Sequence, residues 1–225
     1  MMIKLIYLLL LLPLASSLNV QAKVPSTEER KAIIECHTKL RENVQPPATN
    51  MRLMEYSLEM EKLAEGSLTY WEEPFQESDP EYQNVGIVTM SSQDVRPKFH
   101  DLCRVNSTSF SPKKNSCNGD CHNYRQMVWA TSTEVGCIEA TCNTKKGLGK
   151  STHLLLCMYK PSDLNYDDNP YEPGPSCSKC PDGYGCHRNQ CSSDPILGQS
   201  TTSISTILSP IFILQSAIFL TSCLI

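Results

Sequence analysis

The sequence holds no G-x-S-x-G and no H-E-x-x-H block, so neither an activated serine nor a helix-borne metal pair announces hydrolysis. No internal repeat is visible. No stripe of Lys or Arg stands out either: 20 basic side chains face 24 acidic ones, a mildly acidic balance that speaks against nucleic acid as a partner. The apolar run from Ile204 to Ile225 carries no Lys or Arg, and no basic tail follows it. A spanning helix usually stops at such residues.

What the chain has in quantity is cysteine. Twelve cysteines in 225 residues point to an oxidising compartment, in a chain with room for one ordinary domain plus appendages. Lys4, the apolar run Leu5 to Leu14 and the small-residue pattern Val20-Gln21-Ala22 read as a signal peptide over residues 1–22. A permanent N-terminal anchor is the alternative, and the shortness of the run argues against it. At the other end, Ser192-Ser193-Asp194, a polar spacer and the apolar tail have the order of a GPI-attachment signal over 192–225, with Ser193 as the attachment residue. A C-terminal membrane segment remains the alternative; both place the protein at the cell surface or outside the cell. Asn106-Ser107-Thr108 is an N-glycosylation sequon.

Ser26 and Glu29 have capping-box spacing, and Ile33, His37, Leu40 and Val44 follow at helical intervals until Pro46-Pro47. Asn50 is expected to cap a second helix whose stripe is Leu53, Tyr56, Met60, Leu63, Ser67 and Trp71. A third helix is expected from Ser92 or Asp94, with Pro97 in its first turn. Residues 104–118 read as a loop. Val135–Cys142 and His153–Lys160 read as strands joined by a loose hairpin through Lys145–Lys150. Residues 167–176 are expected as a linker, and Cys177, Cys180, Cys186 and Cys191 as a disulfide-stapled unit over 177–191, too short for a core of its own.

One stretch is more specific than all of these. Cys117–Trp129 reads CNGDCHNYRQMVW and resembles the C-G-H-Y-T-Q-x-V-W signature of the CAP superfamily, the cysteine-rich secretory, antigen 5 and pathogenesis-related proteins. His37-Thr38-Lys39-Leu40-Arg41 resembles the family's H-N-x-L-R, and Pro46-Pro47-Ala48 with Asn50-Met51 resembles the P-x-A-x-N-M that follows. Leu156-Cys157-Met158-Tyr159, with Pro161 and Asn165-Tyr166, resembles the second signature, disturbed by an extra residue and Leu164. The cysteine unit resembles the hinge of cysteine-rich secretory proteins, without the six-cysteine module of venom members. The layout is similar to glioma-pathogenesis-related-type and venom-allergen-like proteins.

The resemblance implies a mixed α/β fold: a three-layer α–β–α sandwich with a small antiparallel sheet over 26–166, followed by the disulfide-rich hinge. It implies the pairs Cys137–Cys157, Cys117–Cys121, Cys177–Cys186 and Cys180–Cys191. Cys142 would pair with a cysteine at the end of the second helix, but Trp71 stands there. The pairing of Cys36, Cys103 and Cys142 therefore stays open, and Cys223 lies in the tail.

The family cleft gathers two histidines and two acids that can hold a divalent metal such as zinc. Mapped onto this chain, those positions fall on His37, Gln83, Asp101 and Asn123. One imidazole and one short carboxylate do not make a tight zinc site. His122 could swing into the vacancy, although a neighbouring helical residue points a quarter-turn away. His37 itself could be a helix-face histidine, hydrogen-bonded in a cleft. No cofactor and no catalytic residue are expected. The role expected is non-enzymatic recognition of an extracellular protein, with the membrane reached through the C-terminal anchor. The alternative is sterol or fatty-acid binding, for which Phe110 is the one aromatic in the region that would carry it, and a metal-dependent hydrolase is the second alternative.

Overall fold

The structure is a computed structural model that describes residues 20–68, 80–142, 151–162 and 168–194. Trp71, the 145–150 connection, Asn165-Tyr166 and the C-terminal tail lie outside the described residues. In chain order the elements are β1 (Val20–Lys23), α1 (Thr27–Glu42), β2 (Glu55–Tyr56), α2 (Leu58–Ser67), β3 (Gly86–Ser92), β4 (Phe110–Ser111), β5 (Ser116–Cys117), α3 (His122–Met127), β6 (Glu134–Cys142), β7 (Thr152–Lys160), β8 (Gly185–His187) and β9 (Gln190–Ser192), with 3-10 turns at Pro80–Tyr82 and Phe99–Arg104.

The main sheet runs β1-β6-β7-β3, with β2 pairing parallel to the start of β6. Its central strands are apolar on both faces, and the alternation explains the layers. Val135, Cys137, Leu155, Cys157 and Tyr159 join Ile33 and Cys36 of α1 and Phe99 and Leu102 of the second 3-10 turn. The intervening residues Ile138, Ala140, Leu154, Leu156 and Met158 join Met60 and Ala64 of α2. A sheet covered on both sides gives near-continuous apolar strands. This is the α–β–α sandwich. A third apolar group gathers Val44, Ala48, Met51, Phe110, Tyr124, Val128 and Tyr171 beneath α3.

The capping box of α1 is formed: the Glu29 N–H donates to Ser26 Oγ at 3.2 Å, and the Ser26 N–H donates to Glu29 Oε2 at 2.8 Å. The second helix departs from the sequence expectation. Ser57, not Asn50, caps it, because residues 51–56 are held extended by long-range backbone pairing. The Arg52 N–H donates to the Ala130 carbonyl and the Leu53 N–H to the Cys191 carbonyl. Asn50 instead accepts from the Glu172 N–H at 3.0 Å. The expected third helix is also corrected. β3 continues to Ser92 because all seven of its residues pair with β7, and only a 3-10 turn forms after Pro97. Residues 110–117 form a two-stranded ribbon rather than a plain loop, because Phe110 is drawn into the third apolar group.

Disulfides join Cys36–Cys103, Cys117–Cys121, Cys137–Cys157, Cys177–Cys186 and Cys180–Cys191, and Cys142 is free and buried. The first pair ties α1 to the second 3-10 turn across 67 residues, the longest loop closed and so the largest entropic restriction of the unfolded chain.

The cysteine unit is docked, not dangling. Arg188 forks onto two acids of α1, Glu35 at 2.7 Å and Glu42 at 2.8 Å. Asn189 donates to the Glu42 carbonyl and Gln190 to the Thr38 carbonyl. Residues 168–176 also run against the body: the Ala130 N–H donates to the Pro170 carbonyl, and Tyr171 is buried. The segment read as a linker carries an apolar anchor that its Asn, Asp and Pro content hid.

At Gly136 the first turn of α2 lies directly on β6. A Cβ there would stand 2.1 Å from the Glu61 backbone nitrogen. Gly136→Ala should therefore destabilise the fold by about 2 kcal/mol or more, read as a lower urea midpoint, because backbone cannot move aside as a side chain can. An unchanged midpoint would refute the close approach.

Candidate functional site

His37 projects from α1 into the core and is fully buried. Its Nδ1 lies 2.7 Å from the Ile33 carbonyl, and its Nε2 lies 2.9 Å from the Tyr159 hydroxyl. A carbonyl can only accept, so Nδ1 carries the proton and Nε2 accepts from Tyr159. Both ring nitrogens are used. Burial pushes the imidazole down to about 4, and the nearby Arg41 charge acts in the same direction. The helix face that carries His37 packs on β7, whose Tyr159 is fully enclosed.

The other mapped positions are equally committed. Asn123 on α3 donates to the Thr89 carbonyl at 3.0 Å and accepts from the Thr89 N–H at 3.3 Å. It imitates a neighbouring strand and closes the outer edge of β3. Asp101 accepts from the Lys98 N–H at 2.8 Å and pairs with Arg104 at 2.8 Å. Gln83 is exposed after the first 3-10 turn. His122 opens α3, half-buried, and its backbone N–H donates to Asp120 at 3.0 Å.

These residues do not fit a divalent metal. The imidazole has no free nitrogen, and the Asn123 amide is a neutral group already spent on Thr89. Among the described residues, the one group of His, Cys, Asp or Glu side chains with ligand atoms close enough to share an ion is Cys177, Cys180 and Cys191, whose sulfurs are in disulfides.

Sequence reasoning passed over the strongest polar group in the fold. Arg41 is fully buried and donates to five backbone carbonyls: Met127, Trp129, Arg52, Ala130 and Ser132. Burial pushes its guanidinium down to about 9, so it stays cationic at neutral pH. No carboxylate faces it among those bonds. A charged residue four positions after His37 on the apolar stripe was the available signal. Glu61 is the second such case: Arg30 binds it twice, at 2.7 and 2.9 Å, and the Tyr56 hydroxyl donates to it.

Two surface depressions border this framework. One of about 390 Å³ lies between the cysteine unit and the body and is largely polar, lined by residues including Arg52, Glu55, Glu134, Tyr184 and Ser193. One of about 350 Å³ is shallow and mostly apolar, formed by Met90, Val95, Pro97 and Val105 with Asp101 and Arg104 at its rim.

The His37 geometry has a measurable pH signature. The unfolded imidazole titrates near 6.5 and the folded one near 4, so between these values the unfolded chain binds a proton that the folded one refuses. Stability from neutral His37 is complete above about pH 6.5 and is lost as the pH falls to about 4, a change of about 3 kcal/mol. Urea midpoints followed from pH 7 to 4 should fall more steeply for the native protein than for His37→Gln. Equal slopes would contradict the enclosed imidazole.

The comparisons agree with the fold just described. The family model for the CAP: Cysteine-rich secretory protein family matches residues 34–159. Peptidase inhibitor 15-A of Danio rerio is 34% identical over 199 residues, covering 76% of this chain and 75% of that protein. Peptidase inhibitor 16 of Bos taurus is 31% identical over 178 residues, and the alignment takes in 77% of this chain but only 38% of the bovine protein. Among solved structures, the venom allergen-like protein 4 of Schistosoma mansoni superposes with a TM-score of 0.50 at 28% identity, over 69% of this chain and all of that one. The chain belongs to the cysteine-rich secretory protein (CAP) family.

Proposed function

We propose that this chain is a non-catalytic extracellular recognition domain held at the cell surface. The observation that carries this reading is the inward commitment of the mapped donors: His37 is sealed against Tyr159, and Asn123 is spent on Thr89. A hydrolytic site needs a nucleophile with its base, or a metal with an open position. The mapped residues offer neither. What the fold does offer is a stapled frame with exposed loops, the arrangement in which binding residues commonly sit. Relatives named peptidase inhibitor make a secreted peptidase the first partner class to test.

A second reading, sterol or fatty-acid binding, is favoured by the apolar depression at Met90, Val95, Pro97 and Val105. Its volume of about 350 Å³ is at the low end for a ligand pocket, and it is open rather than enclosed.

Immobilised ectodomain offered extracellular proteins and secreted peptidases should retain a defined protein partner. In parallel binding assays it should neither saturate with sterol or fatty acid nor hold an equivalent of zinc after dialysis. Saturable lipid binding would transfer the assignment to the second reading, and a retained equivalent of zinc would overturn the non-catalytic one.

Surface display is proposed through a GPI anchor at Ser193, which is exposed immediately after β9. No helix among the described residues is long and apolar enough to cross a membrane. GPI-specific phospholipase should release the protein from intact cells; retention would assign the tail as a spanning segment.

A further inference from the structure

The site at which the leader is removed can be read from the outer edge of β6. β2 covers this edge only at Glu134 and Val135, and β1 covers it at the other end, with Val20 opposite Cys142, Gln21 opposite Thr141, Ala22 opposite Ala140 and Lys23 opposite Glu139. Val20 packs against the apolar group that contains Ala140 and Leu154. Lys23 is fixed as well: its ammonium lies 2.7 Å from Glu29, 3.8 Å from Glu139 and over the Phe99 ring.

Cleavage after Ala22, as the Val20-Gln21-Ala22 pattern suggests, would delete three of the four β1 residues. The backbone of β6 from Ala140 to Cys142 would become an open sheet edge, a template for unwanted pairing. Cys142, the one cysteine without a disulfide among the described residues, would lose Val20, its cross-strand neighbour on that side, and keep Thr152 of β7 on the other. That thiol is now 2% exposed.

A second small-residue pattern stands earlier. Ala15-Ser16-Ser17 follows directly on the Leu5–Leu14 apolar run, where a cleavage site is expected. We propose that the leader is cut on the N-terminal side of Val20, after Ser17, and that β1 is the first strand of the mature protein, closing β6 and covering the Cys142 thiol.

The test is the first residue of the secreted protein. The full chain is expressed in a secreting eukaryotic cell, and its N-terminus is read by sequencing and intact mass. A start at Leu18, or at any position up to Val20, supports the proposal; a start at Gln21 or later overturns it. A second measurement addresses the covering role. A chain with its leader joined directly to Lys23 should lose the protection of Cys142 from maleimide, read at that residue by peptide mapping under native conditions. Protection equal to that of the native chain would refute β1 as the cover of the thiol.

Discussion

The Arg41 guanidinium organises this molecule. It reaches from α1 into a space where the chain turns from α3 into β6, and five carbonyls converge on it. Four of those carbonyls lie at that bend, outside any strand, and leaving buried acceptors under-satisfied is costly. A single planar cation with several donors satisfies them together, which fixes the path of Met127 to Ser132 and its distance from Arg52. The position of α3 follows, and so does the hold of Asn123 on β3. The buried charge is not repaid by a carboxylate. It is tolerated because the carbonyl dipoles all present their negative ends to it.

Other buried polar side chains serve the same purpose. His37 bridges α1 to β7, and Glu61 holds Arg30 and Tyr56 between α1, α2 and β2. Gln126, fully buried, accepts from the Ser162 hydroxyl beside Gly86, where even a methyl group would collide with its amide. Residues of the signature block thus act as internal fasteners. Within Cys117–Trp129, Asn123 and Gln126 serve pairing and packing inside the fold.

Much of the framework was legible from the residues. The 3.6-residue spacing and capping box gave α1, and the apolar runs around Cys137 and Cys157 gave β6 and β7. The second helix and the third were misplaced for one reason. Residues 51–56 pair with Ala130, Glu134 and Cys191, and Ser91 and Ser92 pair with Leu154 and His153 of β7, partners far along the chain that overrule local preference. Pattern reading sees neighbours in sequence and not such partners. The apolar stripe of α1 told that His37 lies away from free solvent, but only the phase of β7 decides that Tyr159 meets it.

The backbone pairing of Cys191 with Met51 and Leu53 also orders events in time. The stretch after α1 stays without part of its backbone pairing until the last described strand has been made. Completing the fold therefore needs almost the whole described chain, since contacts of such long sequence separation carry a loop-closure cost. Without Cys191, Met51 and Leu53 keep unpaired backbone groups, and a chain ending short of residue 188 would have no Arg188 to lock its first helix.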